Sequence, residues 1–252
     1  MSLTDRAYRA IREMIVHLVL APGAVVREDD LQRRLGIGRT PIREALQRLA
    51  RDQLVTVVPR RGMFVAHIDV GELSLLYETR AVLEPYAARL ACARGAPQHW
   101  DAMRTCLARA ARPRVSPAAL LDIDRECHAI VWAAAGNRFL TDTLEMLYAQ
   151  SDRLWHMYLA DVGEMSTAVD EHHAILEALV AGDGDRAAEL ATAHVRAFDR
   201  QIREAVTRRL GPPLAAADPA RGDRGSAVRE PTARHDRVSR GGSGRAGSRS
   251  GP

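Results

Sequence analysis

The sequence lacks the features of a secreted or membrane protein. It contains three cysteines, and their spacing forms neither a CxxC motif nor an even disulfide framework. No stretch approaches the roughly 18 uninterrupted apolar residues that a membrane span requires, and the N-terminal segment mixes charged with apolar residues. We therefore expect a soluble cytoplasmic protein that has no membrane partner.

Lysine is absent, so all 36 basic residues are arginine. Residues 1–66 hold 12 Arg against 7 acidic residues, residues 67–210 hold 16 against 21, and residues 211–252 hold 8 against 4. The net charges of the three segments are therefore +5, −5 and +4. A basic segment beside an acidic one is typical of a nucleic-acid binder with a separate second domain, although drift in composition would give the same asymmetry.

Apolar periodicity predicts three short helices in the N-terminal region. The first covers residues 4–18, with Thr4 as its cap, and the second covers about 28–35. The third follows the glycine turn at residues 36–38, with Thr40 as its cap. This order of short helices is typical of a helix-turn-helix unit.

The period then changes from helical to extended. Residues 54–58, a turn at 59–62 and residues 63–66 predict a two-stranded wing. The turn carries Arg60 and Arg61, which are suited to hold phosphates or to enter the minor groove of DNA.

The outward face of the third helix is suited to base recognition. Burial of its apolar stripe must turn Arg43 and Gln47 outward, while Arg39 and Thr40 lie at its N-terminus. A helix fits the major groove, where Arg pairs with guanine and Gln with adenine. A solvated charged face would contain the same residues. The interpretation therefore depends on the whole combination of three helices, a glycine turn and a basic hairpin.

Residues 69 to about 210 show only helical periodicity, and its breaks predict six or seven helices. The expected fold class is mainly α, with a winged helix-turn-helix DNA-binding domain over residues 1–66 and an all-helical bundle over 67–210. Residues 211–252 contain almost no large apolar side chains and are rich in Gly, Ser, Arg and Pro. We expect this tail to be disordered.

Three helices of the bundle place ligand-type side chains on apolar faces. These residues are Asp124, His128, His172 and His194. One buried histidine is ordinary, but a carboxylate buried with three of them needs a partner that offsets its desolvation, and a divalent metal suits all four. Arg80 also lies on an apolar face, where an ion pair with Glu84 and a contact with an effector carboxylate are both compatible with the spacing.

The N-terminal motifs resemble those of the GntR family of bacterial repressors and activators. They are Ala21-Pro22-Gly23, the run from Leu35 to Leu46 and the wing from Val58 to Val65. The resemblance implies operator binding as a homodimer, with Arg39, Thr40 and Arg43 at bases or adjacent phosphates. It also implies that Gly62 lets the tip of the wing approach the minor groove.

The later motifs resemble the FCD ligand-binding domain of the FadR-like subfamily. They are Tyr77-Glu78-Thr79-Arg80, Asp124-Arg125-Glu126-Cys127-His128 and Glu171-His172-His173, followed by His194. This resemblance implies a metal held by Asp and three His, with Zn favoured over Ni or Mn, and a small organic acid as effector. The expected function is a ligand-responsive repressor and not an enzyme. The alternatives are a metal-responsive regulator and a metal-dependent hydrolase.

Overall fold

The computed structural model describes residues 1–159 and 166–210, which fall within one compact unit. The N-terminal part, called the head below (residues 1–66), combines three helices with a small antiparallel sheet. The helices are α1 (Leu3–Val16), α2 (Glu28–Leu35) and α3 (Arg39–Arg51). The strands are β1 (Val25–Val26), β2 (Val55–Val58) and β3 (Gly62–Val65), in the order β1-β3-β2.

The start of α1 differs from the sequence prediction. Ser2 and Asp5 form a capping box, in which the Asp5 backbone N–H donates to Ser2 Oγ (3.0 Å) and the Ser2 backbone nitrogen donates to Asp5 Oδ2 (3.2 Å). These bonds satisfy backbone groups that the first helical turn leaves unpaired. The helix therefore begins before Thr4, and the prediction of Thr4 as the cap is wrong.

The start of α3 also differs from the prediction. Gly38 is its N-cap, and Thr40 lies within the first turn, where it does not cap the helix. The preceding helix ends at Gly36 in the left-handed conformation (φ +62°), which glycine adopts without the steric cost that other residues meet. The glycine turn thus sets the angle between α2 and α3.

The wing contains one more strand than the sequence predicts. The two expected strands, β2 and β3, pair in register from Val55–Val65 to Val58–Gly62. The additional strand β1 pairs with the other edge of β3. Apolar alternation could not reveal it, because two residues are too few to display a period.

A compact apolar core holds the head together. Its fully buried side chains come chiefly from α1 and α3 and include Ile11, Ile15, Ile42, Leu46 and Leu49. Because α3 packs this stripe inward, the opposite face of the helix lies in solvent.

Six α-helices follow the head within the described part of the chain, after a short 3-10 helix at Val70–Glu72. They are α4 (Leu73–Arg94), α5 (Pro97–Ala108), α6 (Pro117–Ala135), α7 (Arg138–Tyr158), α8 (Ser166–Ala181) and α9 (Gly184–Leu210). The mainly α fold class is confirmed. Over the residues described, no helix is both long and apolar enough to cross a bilayer. The predicted tail at 211–252 lies outside these residues, and the boundary at residue 66 stays a prediction.

Helix α7 carries contacts between the head and the helical domain (residues 67–210). Arg153 is fully buried, and its Nη2 donates to the backbone oxygen of Ala66. Gln150 donates Nε2 to the backbone oxygens of Asp52 (3.2 Å) and Gln53 (3.3 Å). Burial lowers the pKa of Arg153 to about 10. The head is therefore fixed to α7 by directional bonds.

A cluster of charged and aromatic groups forms a second contact, called the head contact below. The ring of His17, at the end of α1, stacks on His156 of α7 at 4.7 Å and lies 3.6 Å from Asp122 of α6. Arg125 pairs with Asp122 (2.8 Å), and its Nε lies 3.9 Å from Asp152 Oδ2. That nitrogen, that oxygen and His17 Nε2 are buried but make no hydrogen bond within the protein.

Replacing Leu46 by alanine tests the core of the head. We expect the free energy of unfolding to fall by about 2–5 kcal/mol, because lost burial adds to the cost of a cavity. Gln47→Ala, on the exposed face of the same helix, is the matched control and should change stability by less than about 0.5 kcal/mol. Urea denaturation followed by circular dichroism measures both. Equal losses of unfolding free energy in the two variants would contradict the orientation of α3, in which Leu46 faces the core and Gln47 faces solvent.

Candidate functional site

The four side chains predicted to bind a metal come together in the core of the helical domain. Asp124 and His128 lie on α6, His172 on α8 and His194 on α9. One ligand atom from each lies within 4.8 Å of the others, and each residue is at most 5% exposed. Three helices therefore converge on one small volume of polar atoms, called the His/Asp centre below.

The imidazole Nε2 atoms face the carboxylate of Asp124. His172 Nε2 lies 2.8 Å and His194 Nε2 3.2 Å from Asp124 Oδ1, while His128 Nε2 lies 3.7 Å from Oδ2. The Nε2 atoms of His128 and His194 are 3.1 Å apart. Two imidazole nitrogens this close require that at least one of them present a lone pair.

Carboxylates outside the centre fix two of its histidines. Glu84 lies 2.7 Å from His128 Nδ1, and Glu171 lies 2.7 Å from His194 Nδ1. Because an ionised carboxylate only accepts, each Nδ1 must carry the proton that it donates. In its neutral form, each of these two imidazoles therefore carries its lone pair on Nε2, the atom that faces Asp124. This carboxylate–histidine arrangement is the one that orients metal-binding imidazoles in proteins.

The sequence analysis missed these supporting groups, together with Tyr148, whose hydroxyl donates to Asp124 Oδ2. Glu84 was weighed only as a partner of Arg80, and Glu171 only as a neighbour of His172 in the motif. For Glu171 the available signal was its position next to His172, whereas Glu84 lies far along the chain from all four ligand-type residues. Tyr148 lies on a different helix, so spacing alone could not connect it with Asp124.

The electrostatics of the centre favour an ionised carboxylate. Burial opposes ionisation of Asp124, but the three imidazoles outweigh it and hold its pKa well below the usual range. Burial and the neighbouring His194 lower the pKa of His172 to about 4. Burial also opposes the charge on His194, yet its bonds to Asp124 and Glu171 raise its pKa to about 9. In the absence of a metal, one proton on His194 therefore helps to balance the buried carboxylate.

Arg80 forms a buried ion pair with Glu84. The distance from Nε to Oε1 is 2.7 Å, both side chains are at most 3% exposed, and Arg80 Nη1 also donates to Ser151 (2.8 Å). Burial opposes the charge on Glu84, but Arg80 and His128 lower its pKa to about 2. A continuous chain of contacts thus runs from Arg80 through Glu84 to the His/Asp centre.

Two cavities lie near the contact between the head and the helical domain. The larger, about 860 Å³, is bordered by β2, the segment after β3, α4 and α7, and none of the four ligand-type residues lines it. The smaller, about 390 Å³, reaches Tyr148 and therefore lies beside the centre. Its lining includes four arginines, which are Arg9, Arg12, Arg48 and Arg125. We call this smaller cavity the arginine cleft.

The residues predicted to contact DNA all lie on the exposed surface of the head. They are Arg39, Thr40, Arg43 and Gln47 on α3, and Arg60, Arg61 and Gly62 at the tip of the wing. Gly62 has a φ of +101°, which suits glycine at this tight turn. The outward orientation required for base recognition is thus present.

One acidic residue that the sequence analysis missed binds two of these arginines. Glu28, at the start of α2, pairs with Arg43 Nε (2.9 Å) and Arg39 Nε (3.1 Å). The bond from Arg43 lowers the pKa of Glu28, partial burial opposes it, and Arg39 adds to the lowering. Acidic residues are common in the first turn of a helix, so its position gave no sign of this pairing.

Comparison with known proteins agrees with this architecture. The family described as "Bacterial regulatory proteins, gntR family" matches residues 3–65, and the FCD domain matches residues 75–197. The chain belongs to the GntR family. It combines a GntR DNA-binding domain with an FCD domain, as the motifs predict.

Relatives of this GntR regulator align with it over most of their length. The HTH-type transcriptional repressor RspR of Escherichia coli is 27% identical over 80% of this chain and 90% of the relative. The Nta operon transcriptional regulator of Aminobacter aminovorans is 29% identical over 77% and 91%, respectively. The structure of E. coli McbR/YncC superimposes with a TM-score of 0.71 at 22% identity, covering 81% of this chain and 98% of that one.

The comparisons establish the general function. The chain is a transcription regulator of a family that binds operator DNA, and it is not an enzyme. The metal-dependent hydrolase considered from the sequence is therefore wrong.

Glu84→Gln tests the buried ion pair beside the centre. The variant keeps the shape of the side chain but leaves the Arg80 cation without its partner, so we expect a loss of about 3–5 kcal/mol in unfolding free energy. Glu78→Gln, on the exposed face of α4, should change stability by less than about 0.5 kcal/mol. Urea denaturation measures both variants. A loss no larger than the control's would show that the pair does not stabilise the fold.

Proposed function

We propose that this regulator is a homodimeric repressor of the cytoplasm whose operator affinity depends on a divalent metal and a small organic acid. The observation that carries the proposal is the buried His/Asp centre, whose four ligand atoms lie within 4.8 Å of one another. A carboxylate so deeply buried requires compensation, and a divalent cation provides it.

The donor set fits a metal such as zinc. Imidazole nitrogens and a carboxylate oxygen are common zinc ligands, and nickel and manganese are the alternatives. Asp124, His128, His172 and His194 would hold the ion, while Glu84 and Glu171 orient two of the imidazoles. When bound, the ion would neutralise the carboxylate and offer open positions to the carboxylate of an effector.

The arginine cleft is the proposed entrance for an acidic effector. Its lining holds four arginines against the three carboxylates of Asp5, Glu13 and Glu145, so the cleft keeps a small excess of positive charge that attracts anions. Tyr148 lies between this cleft and Asp124. Arg80 is the proposed partner of the effector's carboxylate, which would compete with Glu84 for its guanidinium. Such competition would weaken the ion pair between Arg80 and Glu84, which helps to hold Glu84 against His128.

The exposed face of α3 is proposed to enter the major groove of a palindromic operator. Arg39, Thr40 and Arg43 would contact bases or adjacent phosphates, and Gln47 an adenine. Arg60 and Arg61 would hold phosphates beside the minor groove, where Gly62 allows a close approach of the wing. Two heads related by the symmetry of a dimer would read the two half-sites.

The head contact offers a physical route from effector to DNA. Asp122 and Arg125 lie within two residues of Asp124 on α6, and their side chains reach His17 of the head and Asp152 of α7. A shift of α6 on ligand binding would change these contacts directly. An effector that prefers one arrangement of the head would then alter operator affinity.

His172→Ala tests the metal part of the proposal. The variant removes one of four ligands, so the affinity for Zn²⁺ should fall by more than about 100-fold, which exceeds the usual effect of losing a supporting contact. His173→Ala, an exposed neighbour on the same helix, is the matched control and should bind Zn²⁺ as the unaltered protein does. Competition with a chromophoric chelator measures both, and circular dichroism checks the fold. Equal affinities in the two variants would rule out the centre as the metal site.

Arg43→Ala tests the recognition helix. We expect specific binding to DNA upstream of the protein's own gene to weaken by about 1–3 kcal/mol, the range for loss of one bidentate contact to a base. Arg104→Ala removes the same charge from an exposed position on α5 and should leave affinity unchanged. Fluorescence anisotropy at fixed salt, with competitor DNA, measures both. If the unaltered protein shows no preference for any genomic fragment, operator recognition is wrong.

The same assay separates the two kinds of signal. A metal-responsive regulator changes operator affinity when Zn²⁺ alone is added or removed. A regulator that uses the metal as a cofactor still requires an organic acid for the change.

A further inference from the structure

Two of the three cysteines meet where α5 packs on α6. The sulfur of Cys106 lies 3.9 Å from that of Cys127, and both side chains are at most 1% exposed. Both are free thiols. They are 21 positions apart in the sequence, so their spacing did not reveal the pair. We call these two residues the thiol pair.

Cys106 is placed to act as the nucleophile of this pair. The Cys127 thiol donates to its sulfur, and Arg109 Nη2 lies 3.2 Å from the same atom. The hydrogen bond from Cys127 lowers the pKa of Cys106, burial and Glu126 oppose it, and Arg109 adds to the lowering. A cation and a donor at one sulfur are the usual environment of a reactive cysteine.

An open cleft lies beside this sulfur, which is itself buried. The Arg109 side chain is 40% exposed and lines an open cleft of about 650 Å³. Ile123 lines the same cleft, and its backbone oxygen lies 3.6 Å from Cys106 Sγ. The residues that border the cleft therefore contact Cys106 directly. A local displacement of Arg109 would open the sulfur to a small uncharged oxidant.

We propose that the thiol pair is a redox modification site, which hydrogen peroxide closes to an intramolecular disulfide. The Cys106 thiolate attacks one oxygen of the peroxide, the O–O bond breaks, and hydroxide leaves a sulfenic acid on Cys106. The Cys127 thiol then attacks this sulfur, the S–O bond breaks and water leaves as the S–S bond forms. Two thiols are oxidised and the peroxide is reduced to two molecules of water. Reduction by a cellular thiol restores the pair.

Closure would also act on the neighbouring His/Asp centre, a consequence that rests on the proposed function. Cys127 precedes His128 on α6 and follows Asp124 by three residues. Drawing Cys127 toward α5 would displace this turn of the helix. We expect the disulfide form to bind Zn²⁺ roughly 10- to 100-fold more weakly, as when a contact that supports a metal ligand is lost.

Peptide mapping of the full-length protein tests the modification. The protein is treated with hydrogen peroxide, alkylated without reduction, digested and analysed by mass spectrometry. The expected product is a Cys106–Cys127 cross-linked peptide that lacks two hydrogens and disappears after dithiothreitol, while Cys92 remains alkylated. Full alkylation of Cys106 and Cys127 at peroxide levels that oxidise Cys92 would overturn the proposal. So would cross-links that form only between chains.

Variants test the order of the steps. Cys127→Ser should stop the reaction at a sulfenic acid on Cys106, detected by dimedone, while Cys92→Ser should still form the cross-link. Reactivity of Cys127 in Cys106→Ser equal to that of Cys106 in Cys127→Ser would overturn the assignment of the nucleophile. The mapping of the unaltered protein decides the main question even if a variant fails to fold.

Calorimetric titration with Zn²⁺, before and after oxidation, tests the coupling separately. Binding by the reduced form and weaker binding by the oxidised form support it, whereas equal binding overturns the coupling alone. Absence of Zn²⁺ binding in both forms would count against the proposed metal centre and would leave the disulfide result intact.

Discussion

The buried carboxylate of Asp124 is the constraint on which the helical domain depends. Moving such a group out of water is unfavourable unless other groups replace the lost hydration. Three imidazoles and the hydroxyl of Tyr148 do so here, and they come from four different helices. Those helices must therefore pack in one relative arrangement. Features that suit the centre for a metal also fix the geometry of the domain around it.

Two of these helices, α6 and α7, connect the His/Asp centre with the head. Helix α6 carries Asp124 and, within one turn, two residues of the head contact. Helix α7 carries Tyr148 and, two and five residues later, the Gln150 and Arg153 side chains that bind the head's backbone. Arg125 and Asp152 approach to 3.9 Å without a hydrogen bond between them. A displacement of less than about 1 Å would bring Arg125 Nε and Asp152 Oδ2 within hydrogen-bond distance.

Periodicity alone was sufficient to predict the helices and the inward orientation of the ligand-type residues, because each of these residues lies on the apolar stripe of a single long helix. It also oriented α3 correctly. It failed where structure depends on partners distant in sequence. The strand β1 is recognisable only by its pairing with β3. Likewise, the contact of Tyr148 with Asp124 and that of Cys106 with Cys127 arise from helix packing, which no local pattern encodes.

The pairing of Glu28 with Arg39 and Arg43 has a consequence for selectivity. In the DNA-free head both guanidinium groups already bond Glu28 through Nε, so a duplex that uses those nitrogens must displace the carboxylate. Random sequences offer phosphate charge but few matching base edges, so the freed arginines gain little binding free energy from them. A matching operator site also supplies base contacts, so the gain in binding free energy is larger. An acidic residue on the recognition surface would thus weaken binding to bulk genomic DNA more than binding to the operator, and so widen the gap between them.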